Sequence, residues 1–158
     1  MRKDAPSAAR SIWSTERSAL AADALRRAGH LRLCVHGESM LPTLWPGDVV
    51  EIATCSMEDV RSAEIVLAER EGRFFLHRFI APCTPNGFRL RGDSMSACDP
   101  QYPPEALLGR LVRRTDGRRR LSSATPLRAS LSRALGVLLC HCGVARRLAL
   151  KLQSHRRA

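Results

Sequence analysis

The stretch Gly37 to Asp48, G-E-S-M-L-P-T-L-W-P-G-D, decides how the rest of the chain is read. It follows Leu31, Leu33 and Val35, whose alternation with polar neighbours has the period of a strand. It then sets one hydroxyl, Ser39, between the permissive Gly37 and a Met40-Leu41-Pro42-Thr43 run. A serine held at a strand end on a turn shaped by Gly and Pro can present its side chain and its own N–H outward. Acyl transfer needs both, one as nucleophile and one as oxyanion donor. A bare Gly-x-Ser-Met also serves as an ordinary surface turn, so the weight rests on the longer pattern.

Gly37, Ser39, Met40, Pro42, Thr43, Leu44, Gly47 and Asp48, in that order, resemble the first signature of the serine peptidase superfamily that joins type I signal peptidases with LexA-like self-cleaving repressors. The resemblance implies that Ser39 attacks a peptide carbonyl, with Gly37, Met40 and Pro42 as substrate-binding neighbours. In most of that superfamily the base is a lysine on a later strand. Here the lysines, Lys3 and Lys151, lie at the extreme ends of the chain. His77, in F-F-L-H-R-F-I, stands where that lysine would be, and is similar to the archaeal and endoplasmic-reticulum branch in which histidine replaces lysine. A neutral imidazole, with an unperturbed pKa of ~6.5, accepts a serine proton near neutrality without the desolvation a lysine base requires.

The block Leu90 to Pro100, L-R-G-D-S-M-S-A-C-D-P, resembles the Gly-Asp box of the same branch. The resemblance implies that Asp99 orients His77 and that Asp93 supports the site. A carboxylate on the far imidazole nitrogen fixes the tautomer and stabilises the imidazolium that forms as serine attacks. The plainer reading of Asp93 is an Asx turn that closes a hairpin. The echo Gly92-Asp93-Ser94-Met95 offers Ser94 as a rival nucleophile, but it lacks the Pro-Thr-Leu and Gly-Asp that follow Ser39. His36, three positions before Ser39, falls on the other side of an alternating strand and is a flank rather than a base. With glycine at position 37, the oxyanion would rely on backbone N–H groups, chiefly that of Ser39.

At 158 residues and 44% apolar content, the chain can bury one core and has no room for two sizeable domains. The expected organisation is an N-terminal arm and helix over 1–30, a peptidase core over 31–114, and a basic linker and helical tail over 115–158. The net charge of +11 invites a nucleic-acid reading. Acids and bases balance over 1–112 and the whole excess lies beyond, where Asp116 is the sole acid, so an acidic partner would meet the C-terminal segment. Stacking aromatics are nearly absent from that tail, which makes nucleic acid an unlikely partner.

The 6 cysteines lack Cys-x-x-Cys spacing and no cleavable signal sequence precedes them, so reduced thiols and a cytoplasmic setting are expected. Cys140-His141-Cys142 does not suit a metal, since helical residues two apart point about 200° apart. No metal or cofactor is expected.

Ser14 or Thr15 can cap a helix that runs through Ala19, Leu20, Ala24, Leu25 and Ala28 to Gly29. The run Ala19 to Ala22 is far short of the ~20 apolar residues that span a bilayer, so the anchor usual in signal peptidases is not expected here. Beyond the serine motif, strands are expected over Val49 to Ala53, Glu64 to Ala68, Phe74 to Ile80, Gly87 to Leu90 and Leu107 to Val112. They are separated by turn signals such as Glu71-Gly72 and Pro85-Asn86-Gly87. The expected fold is mainly β, a small coiled sheet or partly open barrel of the signal peptidase/LexA type, with an N-terminal helix and a C-terminal amphipathic helix. The short span from His77 to Asp93 leaves no room for a large accessory insertion.

In the tail, Leu131, Leu135, Leu138, Cys142, Ala145, Ala149 and Leu152 recur at three and four, with arginines largely off that stripe. Such a helix can lie peripherally on an anionic membrane or pack on its own domain. Three functions follow as expectations. The leading one is a serine endopeptidase acting on a polypeptide substrate through Ser39, His77, Asp99 and Asp93. The others are a LexA-like regulator cleaving itself at a bond such as Ala28-Gly29, and an inactive peptidase fold serving as a basic adaptor.

Overall fold

Alternation of apolar and polar residues builds most of this molecule. In the computed structural model, which describes residues 7–83, 85–115 and 120–121, one helix, α1 (Ser7–Ala28), precedes seven strands. These are β1 (His30–Cys34), β2 (Val49–Ala53), β3 (Ile65–Arg70), β4 (Arg73–Pro82), β5 (Phe88–Arg91), β6 (Leu107–Thr115) and β7 (Arg120–Leu121). The helix starts earlier than a cap at Ser14 or Thr15 would place it. Ala8, Ala9 and Arg10 are strong helix formers and extend it toward the N-terminus. It ends as expected at Gly29, which donates its N–H to the Leu25 carbonyl at 2.9 Å and adopts a φ of 77°. That left-handed value costs glycine nothing.

The strands form one antiparallel sheet in the order β1-β2-β6-β3-β4-β5, with β7 pairing to β6. Among the described residues β1 and β5 are its ends and do not pair with each other, so the sheet is open. It is mainly β with one helix, as expected, and a coiled sheet is consistent with it. Irregular pairing beside Ile52, Ala68 and Ala81 adds local twist. The tightest connection is the two-residue turn Glu71-Gly72, with φ of 53° and 69°, closing on the pair Arg70 and Arg73. Positive φ at both positions matches the right-handed twist of the flanking strands. The tail helix expected over 115–158 lies outside the described residues apart from β7.

β3 divides the core. Leu67 points to one face, into a cluster with Ala22, Leu25, Met40, Leu44, Val50, Ile52 and Leu108. Val66 and Ala68 point to the other, into a cluster with Phe79, Phe88, Leu90, Tyr102 and Ala106. A strand buried on both faces reads as a continuous apolar run, and Ile65-Val66-Leu67-Ala68 is such a run. Through Ala22 and Leu25 the helix covers the first face. No helix among the described residues is long and apolar enough to cross a membrane.

Candidate active site

The chain leaves β1 still extended at Val35, whose N–H donates to Asp48 at 2.8 Å and whose carbonyl accepts from Gly47 at 2.6 Å. The intervening Gly37–Asp48 segment therefore closes on itself at the mouth of β1 and β2. Its buried anchor is Asp48. One Asp48 oxygen accepts the Trp45 N–H at 2.8 Å and meets Arg114 Nε at 2.9 Å, and Arg114 also donates to the Thr43 carbonyl. Gly47 turns with φ 86°, and the Leu41-Pro42 peptide is cis. The first residues of the segment coil back, with Leu41 N–H on the Glu38 carbonyl and Leu44 N–H on that of Met40. Ser39 is thus fixed at the start of a braced turn, half-buried.

The two unpaired ends of the sheet meet here. The segment after β5 returns so that the Ser94 N–H donates to the Ser39 carbonyl and the Ser94 hydroxyl to the Glu38 carbonyl, both at 2.9 Å. This approach requires glycine at 92. A Cβ there would lie 2.5 Å from the Ser39 carbonyl oxygen and 3.0 Å from the Ser39 Cβ. Ser94 is buried and its hydroxyl is committed to backbone, so it does not compete with Ser39.

His77 lies in β4, paired with Val66 of β3, and is 6% exposed. Its Nε2 is 2.7 Å from Ser39 Oγ and its Nδ1 is 2.6 Å from Asp99 Oδ2. With the proton on Nδ1, the ring donates to Asp99 and Nε2 accepts the Ser39 hydroxyl, the arrangement a general base requires. The Asp99 backbone is pinned by its N–H on the Leu90 carbonyl at 2.9 Å. Among the described residues the Ser39 N–H has no intramolecular hydrogen bond, so it remains available to an oxyanion.

The other expected site residues divide. Gly37 lines the cleft in front of Ser39. Met40 also lines that cleft, and at 2% exposure it packs at the same time in the core with Leu25 and Leu44. Pro42, expected beside the substrate, is not among the cleft-lining residues, and its neighbour Thr43 is held at the carbonyl by Arg114. Asp93 does not touch Ser39 or His77, so it is not part of a reacting set. It receives Arg78 on both oxygens, Nε at 2.7 Å and Nη2 at 2.6 Å, and accepts the Thr43 hydroxyl. Such a bidentate pair locks the Thr43 side of the turn to β4. Arg78 also donates to the Ala63 carbonyl at 2.6 Å.

Tyr102 had no place in the sequence reading. It is wholly buried, and its hydroxyl donates to Asp99 Oδ2 at 3.2 Å. Burial, followed by the nearby Asp99 charge, pushes its phenol well above the ordinary range, so it stays a donor. The available signal was that it is the chain's only tyrosine, three positions after Asp99.

Beside the Ser39 hydroxyl lies an open cleft of about 670 Å³. Leu33 to Gly37 form one side and Phe74 to His77 another, with Arg17, Ser18 and Ala21 of α1 along its length. Among the described residues both flanking strands present unpaired edges. Alternation directs the backbone groups of Cys34 and His36 away from β2 and those of Phe74 and Leu76 away from β3, while β5 pairs with β4 only from Arg78 onward. His36 is exposed and lines the cleft without contacting Ser39. Among the described residues no group of His, Cys, Asp and Glu is placed to hold a metal ion. Cys34, Cys55, Cys83 and Cys98 are free thiols, and burial raises the pKa of Cys55. No family model matches this chain, and neither the curated proteins nor the solved structures contain a match.

Proposed function

We propose that this protein is a serine endopeptidase of signal-peptidase-like type that works through Ser39, His77 and Asp99. The observation that carries the proposal is the pair of short contacts on one imidazole, 2.7 Å to Ser39 and 2.6 Å to Asp99, at the wall of a cleft wide enough for a peptide. The substrate lies extended in the cleft and pairs through its own backbone with the free edges at Cys34 and His36 and at Phe74 and Leu76. Ser39 Oγ attacks the scissile carbonyl as His77 Nε2 takes its proton, and the oxyanion meets the Ser39 N–H. The imidazolium, held by Asp99, protonates the leaving amine. The same ring then activates water against the acyl-enzyme. Asp93 serves by holding the turn.

Within the same superfamily, self-cleavage at Ala28-Gly29 is the weaker reading. That bond lies at the far end of β1, ~20 Å from Val35 at strand rise, so reaching its own Ser39 would require β1 to leave the sheet. An inactive adaptor is the remaining alternative. Incubation with a peptide library and with a fluorophosphonate probe tests the proposal. The wild type is expected to cleave and to be labelled, with Ser39→Ala and His77→Ala each lowering kcat by on the order of 10³-fold or more. Equal behaviour of all three proteins would leave the adaptor standing, and a stable intact mass excludes self-cleavage.

A further inference from the structure

Behind the carboxylate that meets His77 lies a stack of rings on which the proposed chemistry makes no demand. We infer that Tyr102, held in place by Arg70, is a positioning residue that sets the orientation of Asp99 toward His77, an inference that rests on the peptidase reading above. Both donors converge on one oxygen: His77 Nδ1 at 2.6 Å and the Tyr102 hydroxyl at 3.2 Å approach Asp99 Oδ2. Asp99 has one freely turning bond between its Cα and the carboxylate and another that spins the carboxylate itself. Its backbone contact with Leu90 restrains neither. A second, fixed donor on the same oxygen does.

Tyr102 is suited to be that donor because its backbone and its ring are both held by neighbours. Its N–H and carbonyl both pair with Phe88, at 2.9 Å each way. Its ring stacks on Phe88 with centroids 5.4 Å apart and meets Phe75 edge-on at 6.3 Å. Phe75 in turn stands edge-on to the His77 ring at 6.0 Å, so one aromatic group abuts both partners of the carboxylate. Arg70 covers the assembly, its guanidinium carbon 4.9 Å from the centroid of each of Phe75 and Tyr102. Arg70 makes no ion pair with Asp99. The guanidinium lies over the face of the phenol ring, and the ring's hydroxyl is the group that reaches the carboxylate. Tyr102 is fully buried and does not line the cleft, so it acts on substrate only through Asp99 and His77.

Tyr102→Phe removes the hydroxyl and keeps the ring. The expected result is a fall in kcat of about five- to tenfold, the scale of one hydrogen bond to a charged group. KM should stay within about twofold, since substrate binding without the transition-state contact is untouched. Proton NMR supplies a readout independent of turnover. The low-field signal of the proton on His77 Nδ1 is expected to move in Tyr102→Phe, and to move in the same direction but less in Arg70→Met, which frees the ring without removing the hydroxyl. An unmoved signal in Tyr102→Phe overturns the inference, whatever happens to kcat, and so does an unchanged kcat in a cleaving protein. If the wild type cleaves no peptide, the peptidase proposal falls while the NMR comparison still decides whether Tyr102 sets the Asp99–His77 contact. Should Tyr102→Phe fail to fold, Arg70→Met carries the same test, and an unmoved signal there is equally fatal.

Discussion

Gly92 has two neighbours in space that no spacing in the chain announces: the carbonyl oxygen of Ser39 and, through Ser94, the carbonyl of Glu38. Gly92→Ala must push the Ser39 turn away, because the new carbon would sit 2.5 Å from backbone that has nowhere to retreat. A destabilisation of about 1–3 kcal/mol is expected in urea unfolding, with a larger proportional loss of kcat under the proposed mechanism, since the displaced atom belongs to Ser39. Ser94→Ala is milder, about 1 kcal/mol for one buried hydroxyl bond. Asp93 and Asp99 are separable in the same way. Asp93→Ala strands Arg78 and loosens Thr43, so its main effect should appear in unfolding, whereas Asp99→Ala should chiefly reduce kcat. If the Asp93 variant matches the Asp99 variant in lost kcat at unchanged stability, the division of labour described here is wrong.

Tyr102 also carries a pH signature. Its folded pKa is raised above the ordinary value of 10.0, so above that pH the unfolded chain releases a proton that the folded chain keeps. Stability is therefore complete below pH 10.0 and declines as pH climbs beyond it. Urea unfolding between pH 9 and 11 should show a steeper alkaline decline for the wild type than for Tyr102→Phe. Parallel curves would mean that the phenol titrates alike in both states.

At the scale of elements, β4 does two jobs. Its C-terminal half pairs with β5, and its N-terminal half, up to His77, leaves one edge free along the cleft. The helix α1 supplies a further wall. Arg17 lies ~18 Å along the helix from Gly29, level with the last residues of β1, and it lines the cleft along with His36. No acidic side chain joins them there. Peptides carrying a Glu close to the scissile bond should therefore be cleaved faster than the same peptides carrying Lys, by about three- to tenfold at low salt. Arg17→Glu should reverse the order while leaving neutral peptides unaffected. A scan of Glu and Lys across the positions flanking the cleaved bond, read as kcat/KM, checks this.

For the whole molecule, the excess positive charge lies entirely beyond Val112. If the basic tail contacts an anionic surface, as proposed for peripheral attachment, the full chain should co-sediment with vesicles containing phosphatidylserine and release them as salt rises. A chain ending at Leu121, which retains β7, should not bind. Equal binding by both would move the contact to the sheet domain. Activity on a soluble peptide should be the same in the two chains, because the Ser39–His77–Asp99 contacts are made within 37–102.

Much of this architecture was legible in the linear order of residues. Alternation located β2 to the residue and the other main strands to within a few positions, and glycines located the end of α1 and the Glu71-Gly72 turn. Those features depend on local stereochemistry and on a two-residue period, which neighbours in sequence carry. The resemblance around Ser39, His77 and Asp99 named three side chains that the fold does bring together. What the chain order could not reveal is how an open sheet joins its two ends. The Ser94 clamp, the close approach at Gly92 and the Arg78–Asp93 lock each link residues from elements distant in sequence, and Tyr102, though three positions from Asp99, is held by its pairing with Phe88 of β5. Met40 and Pro42 show the same limit: both follow Ser39 closely in sequence, yet Met40 packs in the core as well as lining the cleft, and Pro42 is not among the cleft-lining residues. Proximity along the chain sets backbone conformation, while burial and the pairing of distant polar groups decide which side chains face the cleft.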